Sequence, residues 1–230
     1  MQESADHTYL AFDLADKYRI PVIVLADGMI GQMVEGVILP PEKSPGDLPK
    51  RDWTAGKMYA RDIIDDRATA PRHVARHITS IDLVPESLEA KTKARFVRYE
   101  TIKASETRHE AIGLDEDVDL VLVAYGTSAR VCQGARMLAE KEGIKLGIFR
   151  PITVWPFPHQ ELAKIAAKGK PILSVEMSLG QLVEDVKLSV YEAVSSGETT
   201  TPSKIHLLGH SGGIIPTEEE VFAEAKRIIG

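Results

Sequence analysis

The chain has 230 residues, of which 43% are hydrophobic, so it can form one large domain or two small domains with real cores. Its formal net charge of -6, without a basic stripe, argues against a nucleic-acid partner. One cysteine cannot form an internal disulfide or hold an iron–sulfur cluster, which takes about four thiolates. No apolar run approaches the roughly 20 residues of a membrane helix, so we expect a cytoplasmic protein without membrane contacts.

The first 117 residues give a mixed pattern. Apolar residues at helical spacing between Ala5 and Ala15 predict an opening helix, and the apolar run 21–26 predicts a buried strand that ends at Asp27. Residues 39–79 carry prolines and glycines among charges, which predicts a long loop. A connecting helix is predicted from Pro85 to about His109.

A regular alternation begins after Gly113. The predicted strands are 118–125, 145–149, 171–176 and 204–208, and the predicted helices are 128–142, 158–167, 180–195 and 217–229. Short apolar strands joined by helices predict an α/β fold, a parallel sheet with helices on both faces. The predicted division of the chain is therefore 1–40, 41–117 and 118–230.

In such sheets the functional loops lie at the carboxyl ends of the strands. We therefore expect ligand or subunit contacts among the residues that follow the strands: Gly126, Thr127, Ser128, Arg130, Arg150, Glu176, Gly180, Gln181, His210, Gly212 and Gly213. Neither a dinucleotide fingerprint nor a P-loop follows the strand 118–125. Thr127 or Ser128 can cap the next helix there, or the same helix start can attract an anion.

Three further patterns allow competing interpretations. Residues 209–213 match the G-x-S-x-G nucleophile elbow, but the acid and histidine that should come later in the chain are absent. His73 and His77 have the spacing of a zinc pair, without a third ligand. Glu176 ends a buried strand, so its carboxylate is paired, caps the following helix, or takes part in chemistry.

Five stretches carry a resemblance to a known family. They are A-F-D-L-A-D-K-Y-R from Ala11, D-G-M-I-G-Q-M from Asp27, V-A-Y-G-T-S-A-R from Val123, F-R-P-I-T-V-W-P-F-P from Phe149 and V-E-M-S-L-G-Q-L-V-E-D from Val175. Together they resemble the α subunit of 2-oxoacid:ferredoxin oxidoreductases, in the 2-oxoisovalerate and 2-oxoglutarate branch. The second stretch contains the turn residues of a family motif: Asp27, Gly28, Gly31 and Gln32.

The resemblance implies a domain order and an activity. It implies that 118–230 is a complete domain like the carboxy-terminal domain of transketolase. It also implies that 1–40 is the last helix and strand of a domain that holds the pyrimidine end of thiamine diphosphate. The implied complex converts a 2-oxoacid and coenzyme A to acyl-CoA and CO2 while reducing ferredoxin. Its implied partners are β and γ/δ-type subunits, in a homodimer or a hetero-oligomer.

The resemblance places the cofactors elsewhere in that complex. Thiamine diphosphate, Mg²⁺ and iron–sulfur clusters are expected on other parts, and neither a catalytic residue nor a metal is assigned to this chain. Asp27 and Gly28 are not expected to begin the magnesium motif, because its amide ligand is missing from a chain without asparagine. The alternative is a stand-alone small-molecule enzyme that uses Glu176, Arg150 and His210 as its acid/base set.

Overall fold

The computed structural model describes residues 1–47 and 81–230. Its helices are α1 (Gln2–Tyr18), α2 (Pro85–Glu106), α3 (Gly126–Lys141), α4 (His159–Ala166), α5 (Leu182–Ser195) and α6 (Glu218–Ile229). Its strands are β1 (His109–Ile112), β2 (Leu120–Val123), β3 (Leu146–Pro151), β4 (Ile172–Glu176) and β5 (Ile205–Gly209). Short 3₁₀ turns lie at Ile30–Gln32 and Pro45–Asp47.

The five strands form one sheet in the order β1-β3-β2-β4-β5. The pairs β2·β3, β2·β4 and β4·β5 are parallel, as predicted from the alternation of strands and helices. In addition to these parallel strands, β1 runs antiparallel to β3 at one edge of the sheet. Strand β1 was missed because its four residues, H-E-A-I, are too few and too polar to give a strand pattern.

Helices cover both faces of this sheet, which confirms the predicted fold class. On one face α3 and α6 pack on β2, β3 and β4 through small or branched side chains such as Ala129, Ala135 and Val221. On the other face α4 and α5 cover the same sheet through Leu162, Val186 and their neighbours. Strands β2 and β4 are buried along their whole length because both of their faces are covered.

The predicted strand at 21–26 is wrong. Residues 21–26 are irregular, and among the residues that the structure describes no strand pairs with them. The side chains of Ile23 and Leu25 are 78% and 70% exposed. Those of Val22 and Val24 are less exposed, at 37% and 43%, and line a shallow groove along α1. An apolar run predicts burial in a sheet, but a strand also needs hydrogen-bonded neighbours.

The chain divides into two compact units. The first consists of Met1–Leu25 and Glu35–Glu100, and the second of Ala26–Val34 and Thr101–Gly230. The domain boundaries at 40 and 117 remain a prediction. His73 and His77 lie outside the described residues. No helix in the described part of the chain is both long and apolar enough to cross a membrane.

Candidate functional site at the carboxyl edge of the sheet

The site is the edge where β2 and β4 end side by side. From β2 the chain enters α3 and continues to β3, whereas from β4 it enters α5 and continues to β5 on the other side. Open α/β sheets bind their ligands beside the point where two such connections diverge, and we call this place between the ends of β2 and β4 the crevice. The helix starts at Gly126 and Leu182 flank it.

The start of α3 is capped by a residue 100 positions earlier in the chain. The carboxylate of Asp27 accepts hydrogen bonds from the Thr127 backbone N–H at 3.0 Å and from the Thr127 hydroxyl at 2.9 Å. The N-cap residue Tyr125 makes no capping bond through its own side chain. The prediction that Thr127 or Ser128 caps the helix is therefore wrong. The Thr127 hydroxyl donates to the capping carboxylate of Asp27, and the side chain of Ser128 is buried.

Asp27 also holds its own turn, as its place in a turn motif predicts. Its carboxylate accepts a hydrogen bond from the Ile30 N–H at 2.9 Å, and its carbonyl accepts one from Gly31 at 3.0 Å. Partial burial would raise the pKa of Asp27, but hydrogen bonds from Ile30, Thr127 and Met29 outweigh that effect and lower it. The carboxylate is thus stabilised in its charged form against the positive end of α3.

Gly126 fits this contact through its backbone conformation and the absence of a Cβ. Its φ of +59° is a left-handed conformation, and a Cβ at this position would lie 2.9 Å from Oδ2 of Asp27. Any larger residue would meet both the backbone strain and the carboxylate. The glycine at the end of β2 therefore makes room for an internal carboxylate.

The start of α5 is capped in the same manner by Glu176. This carboxylate is 3% exposed and accepts hydrogen bonds from the backbone N–H groups of Leu182 at 2.9 Å and Val183 at 3.1 Å. It also accepts bonds from the hydroxyls of Ser174 and Ser178. Four donors compensate the burial of the charge, so the geometry supports the capping interpretation of Glu176.

Tyr125 lies between these two acidic caps. Its ring is partly exposed, and burial raises the pKa of its hydroxyl, with further contributions from the negative charges of Glu176, Asp185 and Asp27. The pKa of Asp185 is also raised, first by burial and then by Glu184, while His159 lowers it. The crevice therefore holds a neutral phenol among several carboxylates, an environment that favours a cation or a neutral group over an anion.

The other predicted residues after β4 and β5 make hydrogen bonds or adopt turn conformations that hold the loops and helix starts in place. Gly180 has a φ of +118°, and the Gln181 N–H donates to the Ser178 hydroxyl at 3.2 Å just before α5. The His210 N–H donates to the Glu176 carbonyl at 3.0 Å, and its Nε2 lies 2.9 Å from Oε1 of Glu220. Glu220 in turn completes the capping box that starts α6.

Gly212 and Gly213 form an exposed turn with positive φ angles of 67° and 88°. A Cβ on either glycine would meet nothing within 4 Å, so the fold itself needs them only for their backbone conformation. Ser211 precedes them, but α6 begins only at Glu218, whereas a nucleophile elbow turns directly from the strand into the helix. The hydrolase interpretation therefore has no structural support.

The alternative acid/base set is not assembled. Arg150 lies on β3, and its Nε donates to Glu110 on β1 at 2.7 Å. Strand β2 lies between β3 and β4, so it separates Arg150 from Glu176. His210 is hydrogen-bonded to Glu220, and Glu176 is occupied by four donors. Of the other predicted residues, Arg130 is exposed on α3, while Gly28 and Gln32 are exposed in the turn after Asp27.

The described residues offer little to an iron–sulfur cluster or a metal ion. The one cysteine, Cys132, is fully buried in α3, and burial raises the pKa of its thiol to about 12, so it cannot supply a cluster ligand. The carboxylate of Asp27 is used by Thr127 and Ile30 rather than pointing at a diphosphate. Within residues 1–47 and 81–230 no group of three or more His, Cys, Asp or Glu could hold a metal ion.

The sequence predicts which residues lie at the carboxyl edge of the sheet, but it does not predict the residues to which they are hydrogen-bonded. The sequence predicts Asp27 only as a turn residue, and it makes no prediction of bonding partners for Glu220 or Ser178. A signal was available for Glu220, because T-E-E-E from Thr217 is a capping-box pattern. No local signal could have paired Asp27 with Thr127.

Comparisons with known proteins agree with this architecture. Residues 118–221 match the family model "Pyruvate:ferredoxin oxidoreductase core domain II". Residues 1–102 match the model "Pyruvate flavodoxin/ferredoxin oxidoreductase, thiamine diP-bdg". The two models together reach from the first residue into α6.

Two of the curated relatives are subunits of 2-oxoacid oxidoreductases from archaea. The ketoisovalerate oxidoreductase subunit VorB of Methanothermobacter marburgensis is 39% identical over 189 residues, which are 82% of this chain and 50% of that protein. The 2-oxoglutarate synthase subunit KorA of Methanocaldococcus jannaschii is 33% identical over 205 residues, which are 81% of this chain and 53% of that protein. The chain thus spans about half the length of the curated relatives it matches.

A solved structure shares the fold. It is the 2-oxoglutarate:ferredoxin oxidoreductase from Magnetococcus marinus, determined with 2-oxoglutarate, coenzyme A and succinyl-CoA bound. The similarity covers 95% of this chain and 39% of that one, with a TM-score of 0.63 and 22% sequence identity.

Proposed function

We propose that this chain, which belongs to the 2-oxoacid:ferredoxin oxidoreductase family, is part of the α subunit of a complex that oxidises a 2-oxoacid. The complex would convert the 2-oxoacid and coenzyme A to acyl-CoA and CO2, and pass the electrons to ferredoxin. Thiamine diphosphate belongs to that complex, and its Mg²⁺ and iron–sulfur clusters would lie on parts other than the described residues. The branched-chain 2-oxoacids are the first substrates to test, because the VorB relative has the higher identity of the two compared.

Within the complex this chain would organise structure rather than carry out the chemistry. The observation that supports this role is the occupation of both helix starts at the carboxyl edge by the chain's own carboxylates, Asp27 on α3 and Glu176 on α5. These helix starts are where a fold of this kind binds an anionic substrate. With both filled, neither of these two helix starts is open to a carboxylate or phosphate of a substrate.

The proposal is tested on the complex itself. An affinity-tagged copy of the chain is produced in the cells that carry its gene, purified without oxygen, and its co-purifying polypeptides are identified by mass spectrometry. We expect subunits with cysteine clusters and a thiamine–magnesium motif, together with ferredoxin reduction that depends on both coenzyme A and a 2-oxoacid. Purification of the chain alone, with no such activity in its fractions, would contradict the proposal.

A further inference from the structure

The short segment Ala26–Val34 belongs to the second unit. The residues on either side of it, Leu25 and Glu35, belong to the first unit. Only Asp27, Ile30 and Met33 are partly buried, and the other side chains of the segment are exposed. Burial of apolar surface therefore contributes little to holding the segment in place.

The segment is nevertheless ordered within itself. Backbone hydrogen bonds join Gly31 to Asp27, Gln32 to Met29 and Met33 to Ile30, at 3.0, 3.0 and 3.2 Å. These bonds make residues 27–33 a compact turn that can move as one body. The carboxylate of Asp27 is shared between this turn and α3, since it accepts from Ile30 on one side and from Thr127 on the other.

We propose that Ala26–Val34 is a strap that Asp27 closes over the first turn of α3, and that it opens as one body when the Asp27–Thr127 contact is lost. Opening uncovers the N–H and the hydroxyl of Thr127, two donors at the carboxyl edge that the closed strap occupies. The inference does not depend on the proposed activity of the complex. It rests on the small burial of the segment, on its internal bonds and on the Asp27 carboxylate that joins it to α3.

Gly126 provides a matched test of the closing contact. A Cβ there would lie 2.9 Å from Oδ2 of Asp27, whereas a Cβ on Gly143, at the other end of α3, would meet nothing within 4 Å. Both glycines have positive φ, at +59° and +76°, so alanine brings similar backbone strain to each. Only Gly126→Ala also displaces the carboxylate.

The experiment is hydrogen exchange on the full chain, followed residue by residue. In Asp27→Ala we expect exchange at Ile30, Gly31 and Thr127 to rise about tenfold, with β2 and β4 unchanged. Thr127→Val should raise exchange in the same residues by a smaller factor, because the backbone N–H of residue 127 still donates. Thr127→Ser keeps both donors and should match the wild type.

Two controls separate the strap from general destabilisation. Asp47→Ala removes a local turn bond to Ser44 and should leave exchange in the strap unchanged. Gly126→Ala should open the strap, and Gly143→Ala should not. The proposal is overturned if Asp27→Ala leaves strap exchange unchanged, or if β2 and β4 accelerate by the same factor as the strap. If Asp27→Ala does not fold, Thr127→Val and Thr127→Ser are compared instead. Faster exchange in the strap of Thr127→Val than in that of Thr127→Ser supports the proposal, and equal exchange in both overturns it.

Discussion

The carboxylate of Asp27 accepts hydrogen bonds from both the backbone N–H and the hydroxyl of Thr127, at 3.0 and 2.9 Å, across 100 residues of sequence. The contact places a negative charge at the positive end of α3, where it is stabilised by the helix dipole. Glu176 does the same for α5. The two helices that flank the crevice are therefore both stabilised by acids that come from outside the helix.

The first prediction concerns acid stability. Because hydrogen bonds lower the pKa of Asp27 below its ordinary value of 3.8, its contribution to stability is complete above that pH and is lost as the pH falls through the lowered value. Unfolding by urea between pH 6 and pH 2 should therefore show a steeper acid loss in the wild type than in Asp27→Asn. Asp47→Asn serves as a control with an exposed carboxylate. Equal slopes for wild type and Asp27→Asn would contradict the prediction.

The second prediction concerns Glu176. In Glu176→Gln the buried side chain loses the charge that its four donors stabilise, so the free energy of unfolding should fall by about 1–3 kcal/mol. Glu184→Gln removes an exposed charge from the first turn of the same helix and should cost much less. Chemical denaturation of the two variants measures the difference. A loss of the same size in both would show that Glu176 matters only through the helix dipole.

The elements of the second unit could be predicted from sequence, and the contacts of the site could not. Strands such as β2 and β4 are buried on both faces, so continuous apolar runs reveal them. The Asp27–Thr127 bond depends on where two distant segments meet in space, which no local pattern records. The failed strand at 21–26 has the same cause, because an apolar run does not reveal whether strands are available to pair with it.

The third prediction concerns subunit contacts of the exposed turn at Gly212. Gly212→Val should weaken association with partner subunits, since Gly212 is exposed in the loop that follows β5, where the sequence predicts subunit contacts. Gly143→Val is the matched control, because its φ is similar and its Cβ also meets nothing within 4 Å, but it precedes the amino end of β3. Affinity for the partner is measured together with melting temperature. Equal affinities in the two variants would remove this turn from the interface.

The fourth prediction concerns Cys132 and metal content. Because the thiol is buried and its pKa is raised to about 12, it should react with a thiol reagent only after denaturant unfolds the protein. The purified chain should be colourless and should not bind thiamine diphosphate in calorimetry. Rapid labelling of the native chain, or an absorption band of an iron–sulfur cluster, would contradict this expectation.

The last prediction concerns the apolar side chains of residues 22–25. Ile23 and Leu25 are 78% and 70% exposed, and a run of exposed apolar residues promotes association between chains. We therefore expect the isolated chain to self-associate as its concentration rises, and Ile23→Lys with Leu25→Lys to reduce that association by adding charge to the contact.

Val34→Lys is the control for this experiment, because Val34 is 96% exposed but lies outside the apolar run. Sedimentation velocity over a range of concentrations distinguishes the variants, and circular dichroism verifies that each is folded. If the run drives association, the double variant becomes monomeric while Val34→Lys behaves as the wild type. A wild-type chain that stays monomeric at every concentration, or equal effects of both changes, would show that residues 22–25 are not the contact.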